Sequence, residues 1–104
     1  MTRKHQLQAD RLKALGHPIR LAILRKVVQG SKDGTPAGSI QSFVKVPAST
    51  LSHHLSTLAE AGFLEAVREG TFIRYSPCLE TLKELTEYLW EDCCKASPKV
   101  KSRR

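Results

Sequence analysis

Two stretches of this 104-residue chain hold side chains able to do chemistry. Residues 46–64, VPASTLSHHLSTLAEAGFL, gather Ser49, Thr50, Ser52, His53, His54 and Ser56 between an apolar start and a glycine. Residues 90–94, WEDCC, set Cys93 directly beside Cys94, with Cys78 upstream. Serine beside histidine is the material of a nucleophile and its base. Histidine and cysteine are metal ligands. A file of small hydroxyls suits a helix laid into a nucleic-acid groove.

Helical spacing separates these readings. At about 100° per residue, with Leu51 at the centre of a buried face, Leu55 and Leu58 fall within about 40° of it. Ser49, Ser52, His53, Ser56 and Glu60 then lie on the opposite side. Neighbours on one exposed helix face enclose no substrate, so nucleophilic catalysis lacks its cleft and no enzyme is expected. His53 and His54 point about 100° apart and are poorly placed to share an ion; His54 is expected at the core boundary. Two readings stay open. One is a structural helix with idle serines. The other is a helix whose short polar face enters a major groove, its hydroxyls and imidazole bonding base edges or phosphates.

The surrounding elements bear on that choice. Leu7, Leu12 and Leu15 predict a helix over 6–15, ended by Gly16. His17-Pro18 opens a second helix, since proline suits a first turn, and its near-continuous apolar content from Ile19 to Val28 marks it as the central core helix. After a turn at Gly30–Gly34, Thr35-Pro36 repeats the start signal for a short helix to Val44. Lys45–Pro47 is a tight turn before the helix of residues 48–61, which Gly62 terminates in the left-handed region. Phe63–Glu69 and Thr71–Ser76 read as a hairpin joined at Glu69-Gly70. Arg68 and Arg74 flank its tip at Thr71, within reach of phosphates or the minor groove. Pro77 starts a last helix to about Lys95, and 96–104 is a disordered basic tail. The predicted fold class is mainly α with a small β-hairpin, a winged helix-turn-helix in one domain over 1–95.

Charge agrees with a polyanion partner. Residues 1–76 carry eleven Lys and Arg against five Asp and Glu, residues 77–94 one against five, and residues 95–104 five against none. A basic body with a separate acidic segment suggests nucleic acid first and an acidic membrane second. No apolar run is long enough to span a bilayer, and the first residues show no apolar signal core, so a cytoplasmic protein with reduced thiols is expected.

The stretches LKALGHPIRLAILRKV (12–27), PASTLSHHLSTLAEAGFL (47–64) and REGTFIRYS (68–76) occur in the order of the ArsR/SmtB family of metal- and metalloid-responsive bacterial repressors, which this chain resembles over residues 7–94. The resemblance implies a homodimer built on the first and last helices, double-stranded operator DNA held by two recognition helices, and release on binding an inducer. Carried over residue by residue, the DNA contacts are Ser49, Thr50, Ser52, His53, Ser56, Arg68, Thr71 and Arg74. The family's CxC arsenical motif is absent from TPAGSIQSFV, and the last helix has no histidine for its zinc pattern. WEDCC resembles the branch with a vicinal cysteine pair at the end of the last helix, associated with arsenite, which makes Cys93 and Cys94 the expected ligands of As(III) or Sb(III) as inducer.

Softness gives this a physical basis, because thiolates are the protein ligands such ions prefer. No cysteine follows Cys94 to complete a three-thiolate set. Cys78 is too far along the helix to join within one chain, and only an antiparallel pairing of two chains would bring it near the partner's pair; a small buried hydrophobe is its simpler role. Two rivals remain: the same fold sensing oxidants or persulfide through its thiols, and a winged helix used for protein docking.

Overall fold

A computed structural model describes residues 1–96 of the chain. The element order is α1 (Arg3–Leu15), α2 (Pro18–Val28), β1 (Thr35–Pro36), α3 (Ala37–Val44), α4 (Ala48–Glu60), β2 (Leu64–Glu69), β3 (Phe72–Pro77) and α5 (Leu79–Trp90). It is a winged helix-turn-helix, with a three-stranded antiparallel sheet in the order β1-β3-β2.

Each boundary has a local cause. The Thr2 hydroxyl accepts from the His5 amide at 3.0 Å, so α1 begins at Arg3, earlier than its leucine spacing predicts. His17 caps α2 through its ring, Nδ1 accepting from the Ile19 amide at 3.1 Å, and Pro18 takes the first helical position. Lys45, at φ 55°, closes α3 in the left-handed region and turns the chain toward α4. At the far end of α4 the Phe63 amide bonds to the Leu58 carbonyl and the Gly62 amide to Ala59, a Schellman closure with Gly62 at φ +90°. Leu58 and Phe63, the apolar pair of that motif, are both fully buried.

One core runs through the molecule. Ile23, Leu24 and Val27 of α2, Ile40 of α3, Leu51, Leu55 and Leu58 of α4, Phe63 and Leu64, and Leu85 of α5 form a single apolar cluster with Ala14. Burying a side chain of this size contributes roughly 1.5–3 kcal/mol, so apolar contact with α2 anchors α3 and α4. Leu21 and Val28 of α2 stay exposed, so that helix is apolar toward the core and less enclosed than its composition suggests.

Three expectations are corrected. The Thr35 hydroxyl does not cap a helix: Thr35-Pro36 forms β1, with Thr35 opposite Tyr75 and Pro36 opposite Arg74, Pro36 is the N-cap residue of α3 without a side-chain bond, and the edge position tolerates the missing proline amide. Pro77 belongs to the sheet, opposite Leu64, so the last helix starts at Leu79. That helix ends at Trp90 instead of continuing to Lys95. Glu91 is extended, and Asp92 and Cys94 adopt φ near +60°, which breaks the helical path. The tail expected over 96–104 lies outside the described residues apart from Ala96. Among the described residues no helix is long and apolar enough to cross a membrane.

Candidate DNA-binding face and thiol pair

The α4 helix divides as its spacing predicts. Leu51, Leu55 and Leu58 are buried with His54, while Ser49, Thr50, Ser52, His53 and Ser56 are exposed. The N-cap of α4 is Pro47, which offers no side-chain cap. The amides of the first turn have no intrahelical acceptor by geometry. They therefore point outward beside the Ser49 and Thr50 hydroxyls, a donor set suited to an anion at a positive helix end.

The wing is more asymmetric than the sequence suggests. Gly70-Thr71 forms a two-residue turn with Gly70 at φ +64°, and Thr71 is exposed at its tip. Arg68 pairs across the ladder with Ile73, and Arg74 with Val67. Alternation therefore sends the two arginines to opposite faces. Arg68 is exposed on the tip side, whereas Arg74 is half-buried and its Nε donates to the Glu69 carboxylate at 3.2 Å. Of the two wing arginines, Arg68 is the one without an acid partner among the described residues. Phe72, which sequence reasoning did not single out, stands exposed on the outer face with Val67; the alternation of the strand was the available signal.

Beneath α4 lies a polar knot whose partners the spacing of α4 alone does not reveal. Arg20 donates through Nε to the Ala14 carbonyl at the end of α1 and through Nη1 to Nδ1 of His54 at 3.2 Å. The His17 ring packs 4.7 Å from that of His54. Burial, with His17, Arg20 and His53 nearby, holds His54 below the ordinary histidine range and so keeps it neutral. The sequence signal was GHPIR itself, a histidine cap followed by an arginine one turn into the helix.

Cys93 and Cys94 lie past the end of α5 in an irregular turn, both exposed, with Sγ atoms 3.4 Å apart. The hydrogen bond with Cys94 and its charge raise the Cys93 thiol above its usual value. Lys4 Nζ binds Glu91 at 2.8 Å and His5 Nδ1 meets the Tyr88 hydroxyl at 2.7 Å, tying the helix end before the thiols to α1. Cys78 sits at the opposite end of α5 as its N-cap residue, half-buried, its sulfur 3.4 Å from the Thr81 hydroxyl oxygen. The single chain does not bring it to the pair. No group of three or more His, Cys, Asp and Glu side chains able to hold an ion occurs among the described residues.

Residues 15–67 match the family model described as a helix-turn-helix domain. The HTH-type transcriptional regulator YgaV of Escherichia coli strain K12 is 38% identical over 82 residues, covering 73% of this chain and 81% of that protein. Among solved structures, an ArsR-like transcriptional regulator from Rhodococcus sp. RHA1 superposes with TM-score 0.77 at 22% identity, over 91% of this chain and 87% of that one. The homodimeric winged helix-turn-helix DNA-binding domain of Mb0332 from Mycobacterium bovis superposes with TM-score 0.67 at 23% identity, over 94% and 89%. The chain is thus a DNA-binding regulator in class and an ArsR-like winged helix in fold. It belongs to the helix-turn-helix family of transcriptional regulators, which are not enzymes.

Proposed function

We propose that this chain is a homodimeric, cytoplasmic repressor that binds double-stranded operator DNA and releases it when As(III) or Sb(III) binds Cys93 and Cys94. The observation that carries the DNA half is the division of α4, apolar inward and hydroxyl-rich outward, with an uncapped first turn. Ser49, Thr50, Ser52, His53 and Ser56 read base edges and phosphates in the major groove, and Arg68, with Thr71 at the wing tip, contacts the neighbouring backbone. Arg74 contributes only after yielding its bond to Glu69.

The second subunit sits on α1 and α5. Their outward apolar side chains, Leu7, Leu12, Leu79, Leu89 and Trp90, are exposed in the single chain, more than a helix pair leaves to water without reason. The likeness to homodimeric Mb0332 supports the same reading. Two α4 helices then enter grooves about one helical turn, roughly 34 Å, apart.

For induction, the support is two exposed thiols 3.4 Å apart at the end of the helix that would form the seam. They hold the soft ion as thiolates, and a small thiol or water completes its coordination. Cys78 remains a small seam residue. A coupling of about 1–3 kcal/mol between this site and the DNA face gives roughly 5–150-fold weaker operator binding.

The test is a fluorescence anisotropy titration of arsenite, antimonite, zinc, cadmium and peroxide into the protein bound to a duplex selected from a random library. Arsenite and antimonite should release DNA, and protein carrying Cys93→Ser with Cys94→Ser should stay bound. If that double variant still leaves DNA on arsenite addition, the sensing site is elsewhere. Release by peroxide instead, with both thiols modified by mass, would make the pair a redox sensor.

A further inference from the structure

The polar knot under α4 is used by neither half of that function. Arg20 has only donors to offer, and it spends Nε on the Ala14 carbonyl of α1 and Nη1 on Nδ1 of His54. His54 Nδ1 must therefore carry its lone pair, with the ring proton on Nε2. His17 is bound by the same logic, since its Nδ1 accepts from the Ile19 amide to cap α2. His54 holds its position as an acceptor, which only the neutral ring can do. His54 is 7% exposed and has no room to hydrate a charge.

The charged and titratable groups acting on His54 are His17 and Arg20 from the start of α2 and His53 from its own helix. Of the other elements packed on α4, α1 presents the Ala14 carbonyl through Arg20, and neither α1 nor β2 brings a carboxylate to the ring among the described residues. A proton on His54 would face a guanidinium with nothing to balance it. The buried ring is the underside of the helix whose other face carries Ser49, Ser52 and His53.

We propose that Arg20 is a positioning residue for the recognition helix: it grips neutral His54 against the end of α1, and protonation of His54 breaks the grip and unseats α4, so that acid weakens operator binding. The inference rests on the reading of α4 as the DNA-contacting helix. Its sign follows from linkage. His54 is lowered below its ordinary 6.5 when seated, so the unseated form takes up protons first. The seat is complete above that value and is lost as pH falls through the lowered one. Simple electrostatics predicts the reverse, since added positive charge on a basic protein tightens its hold on phosphates.

Operator affinity of the full chain for the selected duplex, followed by anisotropy at constant ionic strength from about pH 7.5 to about pH 5.5, decides between them. The wild type should weaken, by at most about tenfold, the most that one group of ordinary value 6.5 contributes over this range. His54→Asn, whose Oδ1 takes the place of Nδ1 and accepts from Arg20 but does not titrate, should hold its affinity or tighten. Imidazole and amide NMR of the wild-type protein without DNA gives a second measurement that needs no variant: the His54 ring should titrate together with the amides of α4. The proposal is overturned if the wild type tightens or stays level in acid, if His54→Asn weakens in parallel with it, or if the ring titrates while the α4 amides do not move. A chain that binds no duplex at any pH would sink the DNA reading, and the NMR titration would still judge the grip.

Discussion

A β-carbon at position 62 would sit 3.3 Å from the Thr81 hydroxyl oxygen, on a backbone at φ +90° that L-residues rarely adopt. The same hydroxyl donates to the Gly62 carbonyl at 2.6 Å, so the end of α4 and the start of α5 meet at one glycine. Gly62→Ala should therefore cost about 1–2 kcal/mol, read as a lower midpoint in urea unfolding, with DNA affinity at low denaturant little changed. Gly62 was legible in the sequence because a helix end needs the left-handed region whatever lies around it. The partner of His54 was not, since the distance between Arg20 and His54 depends on how α2 and α4 cross.

At the scale of elements the wing shows the limit of reading residue types along a strand. Two arginines flanking a turn look equivalent in sequence, yet the ladder places them on opposite faces and gives one of them to Glu69. Arg68→Ala should lower operator affinity evenly across sequences and reduce the salt slope by about one, as loss of a phosphate contact does. Arg74→Ala should change that slope less, because its charge is already balanced. Anisotropy titrations over a salt series measure both, and equal losses would place Arg74 on the DNA. The last helix makes a similar point. Its leucine period was readable, but both ends were decided elsewhere, by pairing of Pro77 with Leu64 and by the left-handed turn at Asp92 that frees the thiols from the helix.

Across the whole molecule the charge segregation finds its reason. The acidic segment becomes α5, and Glu84 and Glu91 lie against Arg11 and Lys4 of α1, at 3.0 and 2.8 Å. The exposed Lys4–Glu91 pair adds little stability, while Arg11 is largely covered beside Glu84. Both pairs set which helices lie side by side, and leave the excess positive charge to the remaining body. The same pairing leaves Leu89 and Trp90 uncovered. Replacing both, Leu89→Glu with Trp90→Glu, should give a folded monomer by sedimentation equilibrium and should weaken operator binding by more than tenfold, since one half-site alone then holds the DNA. A variant that remains dimeric would move the seam away from the end of α5.

By itself the sequence determined the order of the five helices and the hairpin, the inward and outward faces of α4, the Gly62 stop and the presence of adjacent thiols. Each follows from a local period or from the backbone freedom of one residue. The tertiary structure alone decided that Thr35-Pro36 joins the sheet, that Arg74 is bonded to Glu69, and that Cys93 and Cys94 leave the helix with their sulfurs 3.4 Å apart. It also decided that Arg20 of α2 bridges the end of α1 to His54. These depend on the separation of groups distant along the chain or on competition between neighbouring elements for the same backbone, and spacing in one dimension carries neither.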